Sequence, residues 1–329
     1  GKAIGLNVAA VYLGLSLGPL GGGVLAEFIS WRSLFVVTLP LAFIAFIELL
    51  KIDAEWKSPE SASFDWVGSM IYVVALGSLI YGMSSLPGLL SLVLVLGGLV
   101  MLFVFVKVEH RLNHPVLNLK IFEKNSHFII SNIVALLNYI ITFSLVFLLS
   151  LYLQYIKGVS ATFAGLILVT EPAVMAIVSP FAGRLADKYQ ARYVASLGLF
   201  IVTIGLFLLS LLSSQSTLHY LALVLFMIGM GFGLFTGPNM HSIMSSVQKK
   251  YSGLASAMAA TMRQTGQAVS MGVVALLFAL YIGKVQIMPE NYPEFLVSMQ
   301  LAFLIFALIG VLAVVLSYFR GDLNIDQNV

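Results

Sequence analysis

Two ionisable side chains, Glu171 and Arg263, stand inside long apolar runs of this 329-residue chain. A charge within a lipid-spanning segment is costly and marks a solute pathway, a proton relay or a paired partner. Glu171 directly precedes Pro172, whose missing N–H frees the carbonyl of Leu168 and favours a bend beside the acid. An acid placed there can be charged in one state and neutral in another, which proton exchange requires. The competing reading is a structural acid, permanently protonated or paired with arginine. Arg263, Gln267 and Ser270 fall at i, i+4 and i+7, on one helical face that Ser256 and Ala260 extend. Arg263 therefore serves a gate, a structural pair or a snorkelling contact. Asn132, Asn138, Tyr139, Thr142 and Gln154 share one apolar run and are candidates for lining a cavity, although Asn also pairs helices in lipid. His110 and His114 have a metal-like spacing, but no third ligand accompanies them and no metal site is expected. The chain has no Cys, which removes thiolate and iron–sulfur chemistry, and no hydrolase, P-loop or dinucleotide motif occurs in a supporting context. Neither an enzyme nor a cofactor is expected.

The elements that position these residues follow from composition. The chain is 60% hydrophobic and 9% charged with a mean hydropathy of +1.02, against about 45–50% and 25% for soluble domains. The apolar runs are continuous rather than alternating, which excludes a β-barrel. An all-α polytopic protein remains, with the lipid bilayer as its first partner. A net charge of +3 makes no case for nucleic acid. Run length predicts ten spans, at 3–28, 32–51, 66–86, 88–108, 126–155, 162–186, 193–213, 217–240, 254–283 and 295–319. Two polar stretches, 52–64 and 109–125, divide the chain into 1–52, a linker with a helical hairpin at 53–125, and six helices over 126–329. With Gly1 on the cytoplasmic side, thirteen Lys and Arg fall in cytoplasmic loops and tails, against only Arg32, Lys157 and Lys284 opposite. That asymmetry predicts a multi-pass protein of the cytoplasmic membrane with both termini inside. Nothing in the sequence sets an oligomeric state, so a monomer is the default.

The first span carries Gly5, Gly14, Gly18, Pro19, Gly22 and Gly23. Gly14, Gly18 and Gly22 repeat every four residues, a smooth stripe against which another helix can pack closely. The full string resembles the antiporter motif of the major facilitator superfamily. Trp31-Arg32, Phe35 through Pro40 and Phe64-Asp65-Trp66-Val67-Gly68 are similar to the branch of 14-helix drug–proton antiporters. Gly183-Arg184-Leu185-Ala186-Asp187-Lys188, followed by Arg192, resembles the superfamily's cytoplasmic loop in its relaxed second copy, with Gln190 and Tyr193 departing from the pattern. Gly183 permits a turn, Asp187 can cap the next helix, and Lys188 and Arg192 add positive charge; a plain positive-inside loop reads equally well. The resemblance implies two helix bundles rocking about a midplane site, with protons flowing inward to drive export of a small organic substrate. It also implies that the glycine stripe packs on the opposite bundle, with the Glu171 helix as partner. Uptake of a nutrient is the alternative within transporters. Matching the first span to the branch's fifth helix places four family helices before Gly1, so a fragment that transports nothing alone is a further alternative.

Overall fold

A computed structural model describes residues 14, 18, 21–51, 65–109, 125–248, 251–283 and 287–321, with the backbone alone at Ser84 and Asp187. Every regular element among the described residues is helical. Helix α1 comprises the described helical residues 14, 18 and 21–28. There follow α2 Ser33–Leu50, α3 Trp66–Ser84, α4 Leu89–Glu109, α5 Ser126–Leu151, α6 Ala161–Leu168, α7 Thr170–Lys188, α8 Ala191–Leu209, α9 Leu218–Ser245, α10 Ser252–Tyr281 and α11 Tyr292–Phe319. A π turn, Tyr152–Ile156, prolongs α5. Nine helical segments among the described residues are long and apolar enough to cross a membrane. The tenth expected span is α1, part of which lies outside the described residues.

The chain punctuates its helices with polar caps. Asp65 accepts the Gly68 N–H at 2.9 Å to open α3, and Asn125 accepts the Phe128 N–H at 2.9 Å to open α5. Ser160 and Thr217 cap α6 and α9 in the same way, through Phe163 and Tyr220. The run expected as one helix over 162–186 is built as two, α6 and α7, meeting at Val169. The reason is local: Val169 still donates to Gly165 and Ala173 to Val169, but Pro172 has no N–H for the Leu168 carbonyl. The pair nonetheless forms one apolar span, Ala161–Ala186.

Helices α5 to α11 pack into one bundle whose interior is aliphatic and aromatic, with Ile141, Leu148, Leu206, Ile228 and Phe303 completely buried. Helices α8 and α9 approach backbone to backbone. A Cβ added at Gly198 would sit 2.5 Å from the Gly231 carbonyl oxygen, and one at Gly231 would sit 2.6 Å from that of Gly198. Helices α3 and α4 form a hairpin in which a Cβ at Gly98 would meet the Ala75 carbonyl at 2.9 Å. That hairpin docks on α10, where Gly272 lies under the Met83 backbone and Tyr72 donates its hydroxyl to Thr261 at 3.1 Å. Helix α2 is different: none of its residues is buried.

Candidate functional site

The α1–α6 seam is narrow. A Cβ at Gly23 would lie 2.8 Å from the Ala161 carbonyl oxygen and 3.0 Å from the Thr162 Cα. One turn on, Glu27 Oε2 accepts the Thr162 N–H at 3.0 Å. That N–H belongs to the first turn of α6, where no intrahelical acceptor exists and a carboxylate suits the helix dipole. The rest of the stripe is looser: among the described residues a Cβ added at Gly14 or Gly18 would meet nothing within 4 Å, and one at Gly22 only Leu34 Cδ2 at 3.8 Å. Gly5 and Pro19 lie outside the described residues.

Continuing along the same span, Glu171 occupies the first turn of α7, just past the break that Pro172 creates. Its side chain is half-buried, and carboxyl oxygen Oε2 is buried without a hydrogen-bond partner. Its own carbonyl packs against α9, where a Cβ at Gly229 would come within 2.5 Å of it. The one ion pair among the described residues joins Lys51 and Glu48 at 2.6 Å, both exposed. Among the described residues Glu171 therefore has no basic partner, and Arg263 is not its counter-ion.

Arg263 is exposed on α10, and the Ser256–Ala260 face below it is exposed as well. The structure brings two cavity candidates beside it. Tyr139 of α5 is half-buried within electrostatic reach of Arg263, and Gln267 is half-buried one turn along. The helices touch here because a Cβ at Gly266 would meet the Leu136 carbonyl at 2.8 Å. Ser270, on the same face, is fully buried and bonded to Ser144 of α5, oxygen to oxygen at 2.9 Å. Asn132 and Asn138 are not brought to this exposed face. Both are buried in the bundle, Asn132 donating to the Phe128 carbonyl at 2.9 Å, and the Oδ1 of each has no partner.

At the end of the bundle shared by the α7 C-terminus and the α8 N-terminus, Gly183, Arg184 and Lys188 are exposed. Asp187 belongs to the last turn of α7 rather than to a loop, and its side chain lies outside the described residues. The cap expected from it is not the one α8 uses: Gln190 is the N-cap, and its side chain makes no capping bond. Arg192 lies 4.6 Å over the Tyr193 ring and donates to that residue's hydroxyl at 2.8 Å. Sequence reasoning did not find the polar cluster behind it. Arg320, the C-cap of α11, is 2% exposed and donates Nη1 to Asn239 Oδ1 at 2.8 Å. Burial, with Arg192 nearby, holds its guanidinium down at about 10. Asn239 in turn donates to the Ser131 carbonyl at 3.4 Å. An Asn within an apolar helix is visible in the sequence; its pairing with a cation 81 positions away is not.

The comparisons bear on what such a helical assembly is. The profile of the Major Facilitator Superfamily matches this chain over residues 1–271 and, in a second overlapping match, 133–324. The riboflavin transporter RibZ of Clostridioides difficile is 29% identical over 85% of this chain and 61% of its own length. The multidrug resistance protein Stp of Mycobacterium tuberculosis is 28% identical over 85% of this chain and 53% of its own. The lincomycin resistance protein LmrB of Listeria innocua is 26% identical over 82% and 62%. The chain thus spans little more than half the length of these relatives. An all-helical, multi-pass architecture matched by one family profile over most of its residues places the conclusion beyond motif likeness: the chain belongs to the Major Facilitator Superfamily.

Proposed function

We propose that this chain forms part of a secondary transporter exporting drugs or other hydrophobic or cationic organic solutes in exchange for protons. The observation that carries the proposal is Glu171, an acid without an ionic partner among the described residues, seated at a helix break and packed through its own carbonyl on Gly229. A carboxyl so placed can take and release a proton as the span changes its surroundings, the property a coupled carrier needs. The exposed polar face of α10, with Arg263, Gln267 and the nearby Tyr139, is the surface that would line the solute path. Its partner in the transport cycle is the bundle to which α1 and α2 belong, joined to α5–α11 through the Gly23–Ala161 seam. In this reading residues 1–52 are the antiporter-motif pair of a 14-helix exporter, 53–125 its extra hairpin and 126–329 its second bundle. Gly183, Asp187, Lys188 and Arg192 form the cytoplasmic gating segment, and both termini of the chain face the cytoplasm. The names of Stp and LmrB point toward export, whereas that of RibZ favours a second reading, proton-coupled uptake of a vitamin-like solute.

Proteoliposomes with an imposed pH gradient separate the two. Export predicts that a lipophilic cation such as ethidium moves against the inward proton flow, and that Glu171→Gln abolishes the gradient dependence while leaving binding intact. Flux of riboflavin along the proton gradient, with the cation unaffected, would overturn the export reading. Full gradient dependence in Glu171→Gln would overturn the assigned role of the acid.

A further inference from the structure

A recess of about 240 Å³ opens between the N-terminus of α8 and the ends of α9 and α11, lined by His127, Gln190, Arg192, His241, Ser242 and Gly321. We propose that this recess is a binding site for a phosphate group, either free or carried as the headgroup of an anionic phospholipid. Four features converge on that chemistry. Gln190 and His241 are exposed at its mouth, so a solute or headgroup can enter. Ser242 lines its wall and is 0% exposed, yet its hydroxyl has no hydrogen-bond partner. Both ring nitrogens of His127 are buried, and the ring turns toward the backbone of Arg320 and Gly321, which it meets as its polar neighbours. Behind them the Arg320 guanidinium keeps Nε and Nη2 buried and unbonded, its one bond going to the neutral Asn239.

The electrostatics point the same way. Buried charges are normally matched by an opposite charge, since desolvation otherwise stands uncompensated. Among the described residues Arg320 has no such match, and Arg192 beside it adds positive potential rather than relieves it. The α8 N-terminus contributes backbone N–H groups with no side-chain cap from Gln190, and anions favour that position. The recess is several times the roughly 30 Å³ share of one water molecule, enough for a phosphate and the first atoms of an ester. Basic recesses between helices on the cytoplasmic side suit anionic headgroups. That source rests on the orientation proposed above; the anion chemistry does not.

The test uses the full chain, purified in a neutral detergent and separately in phosphatidylcholine nanodiscs. Thermal unfolding is followed against inorganic phosphate, with chloride at matched ionic strength as the control, and against phosphatidylglycerol incorporated in the discs. The unfolding midpoint should rise with phosphate, with phosphatidylglycerol or with both. Protection by phosphatidylglycerol alone identifies the lipid source; protection by inorganic phosphate as well identifies a site open to free anions. Arg192→Gln and Ser242→Ala should each weaken the apparent affinity about tenfold, the loss of one bond to a charged group. Ser242→Ala removes only an oxygen, so it keeps the test decisive if Arg192→Gln or Arg320→Gln fails to fold. The proposal is overturned if neither probe protects, or if these variants respond as the unaltered chain does. It is also overturned if protection emerges only in Asp187→Asn, because the recess would then hold the chain's own carboxylate. None of these readouts involves transport, so failure here leaves the export proposal standing, and the converse holds.

Discussion

Single polar side chains decide how the bundle is pinned where no water is present. Ser144 and Ser270 are both 0% exposed, their hydroxyls 2.9 Å apart, and the Ser144 N–H also reaches the Ser270 oxygen at 3.2 Å. This is the direct tie between α5 and α10 at the depth where the exposed polar face of α10 turns inward. Between membrane helices such bonds contribute about 0.6 kcal/mol on average, because the separated helices find other partners. A double-mutant cycle with Ser144→Ala and Ser270→Ala should give a coupling energy of about 0.6 kcal/mol, rising toward about 1.7 at most. Reversible unfolding in mixed micelles measures it, and strict additivity of the two single changes would show that the hydroxyls do not interact. The same arithmetic separates this pair from Asn138, whose Oδ1 is buried and unbonded. There, replacement by Leu removes an unsatisfied group rather than a bond, so stability should hold or rise.

Along whole helices, the distribution of glycine sets how closely axes approach. Gly229, Gly231, Gly233 and Gly237 all lie on α9, but they do not all face the same neighbour. Gly229 and Gly233 lie against α7, at Glu171 and Val178; Gly231 lies against the α8 backbone; Gly237 has nothing within 4 Å. Overfilling a packed contact costs about 1–3 kcal/mol, while a change in open space stays within about 0.5. Gly231→Leu should therefore lower the unfolding midpoint clearly in a thermal melt, and Gly237→Ala should leave it nearly unchanged. Equal effects would mean that α8 and α9 do not meet at Gly198. Small residues were legible in the sequence, but their direction was not, because a lone helix carries no record of which neighbour each glycine meets. Proline shows the same limit. Pro172 sits in the first turn of α7 beside a full break where the sequence suggested only a bend, yet Pro40, Pro180 and Pro238 sit inside continuous helices. The missing N–H is common to all four; whether neighbours absorb it is a property of packing.

Over the whole molecule, spans were legible because bilayer thickness imposes a run length that no neighbour can alter. Bundle membership was less so, since lipid-facing and core-facing residues are equally apolar. The structure supplies that division. Every residue of the three buried clusters falls between Phe128 and Ala313, in α5 to α11 and their connections. Outside that block, α2 buries nothing, α1 touches α6 at Gly23 and Glu27, and the α3–α4 hairpin rests on α10. Polar ties at the helix ends, such as Arg320 to Asn239, also lie wholly within the block. Folding free energy should follow the same partition. A chain of residues 125–321 alone should keep its helical circular dichroism and unfold within about 5 °C of the full protein, since it retains all three cores. The hairpin contributes one hydroxyl bond, Tyr72 to Thr261, and the contact of Gly272 with Met83, which accounts for a small decrease. A fall larger than about 15 °C, or loss of the cooperative transition, would show that α1 to α4 complete the fold of the bundle. The two halves would then be a single folding unit rather than a stable bundle and the elements that lean on it.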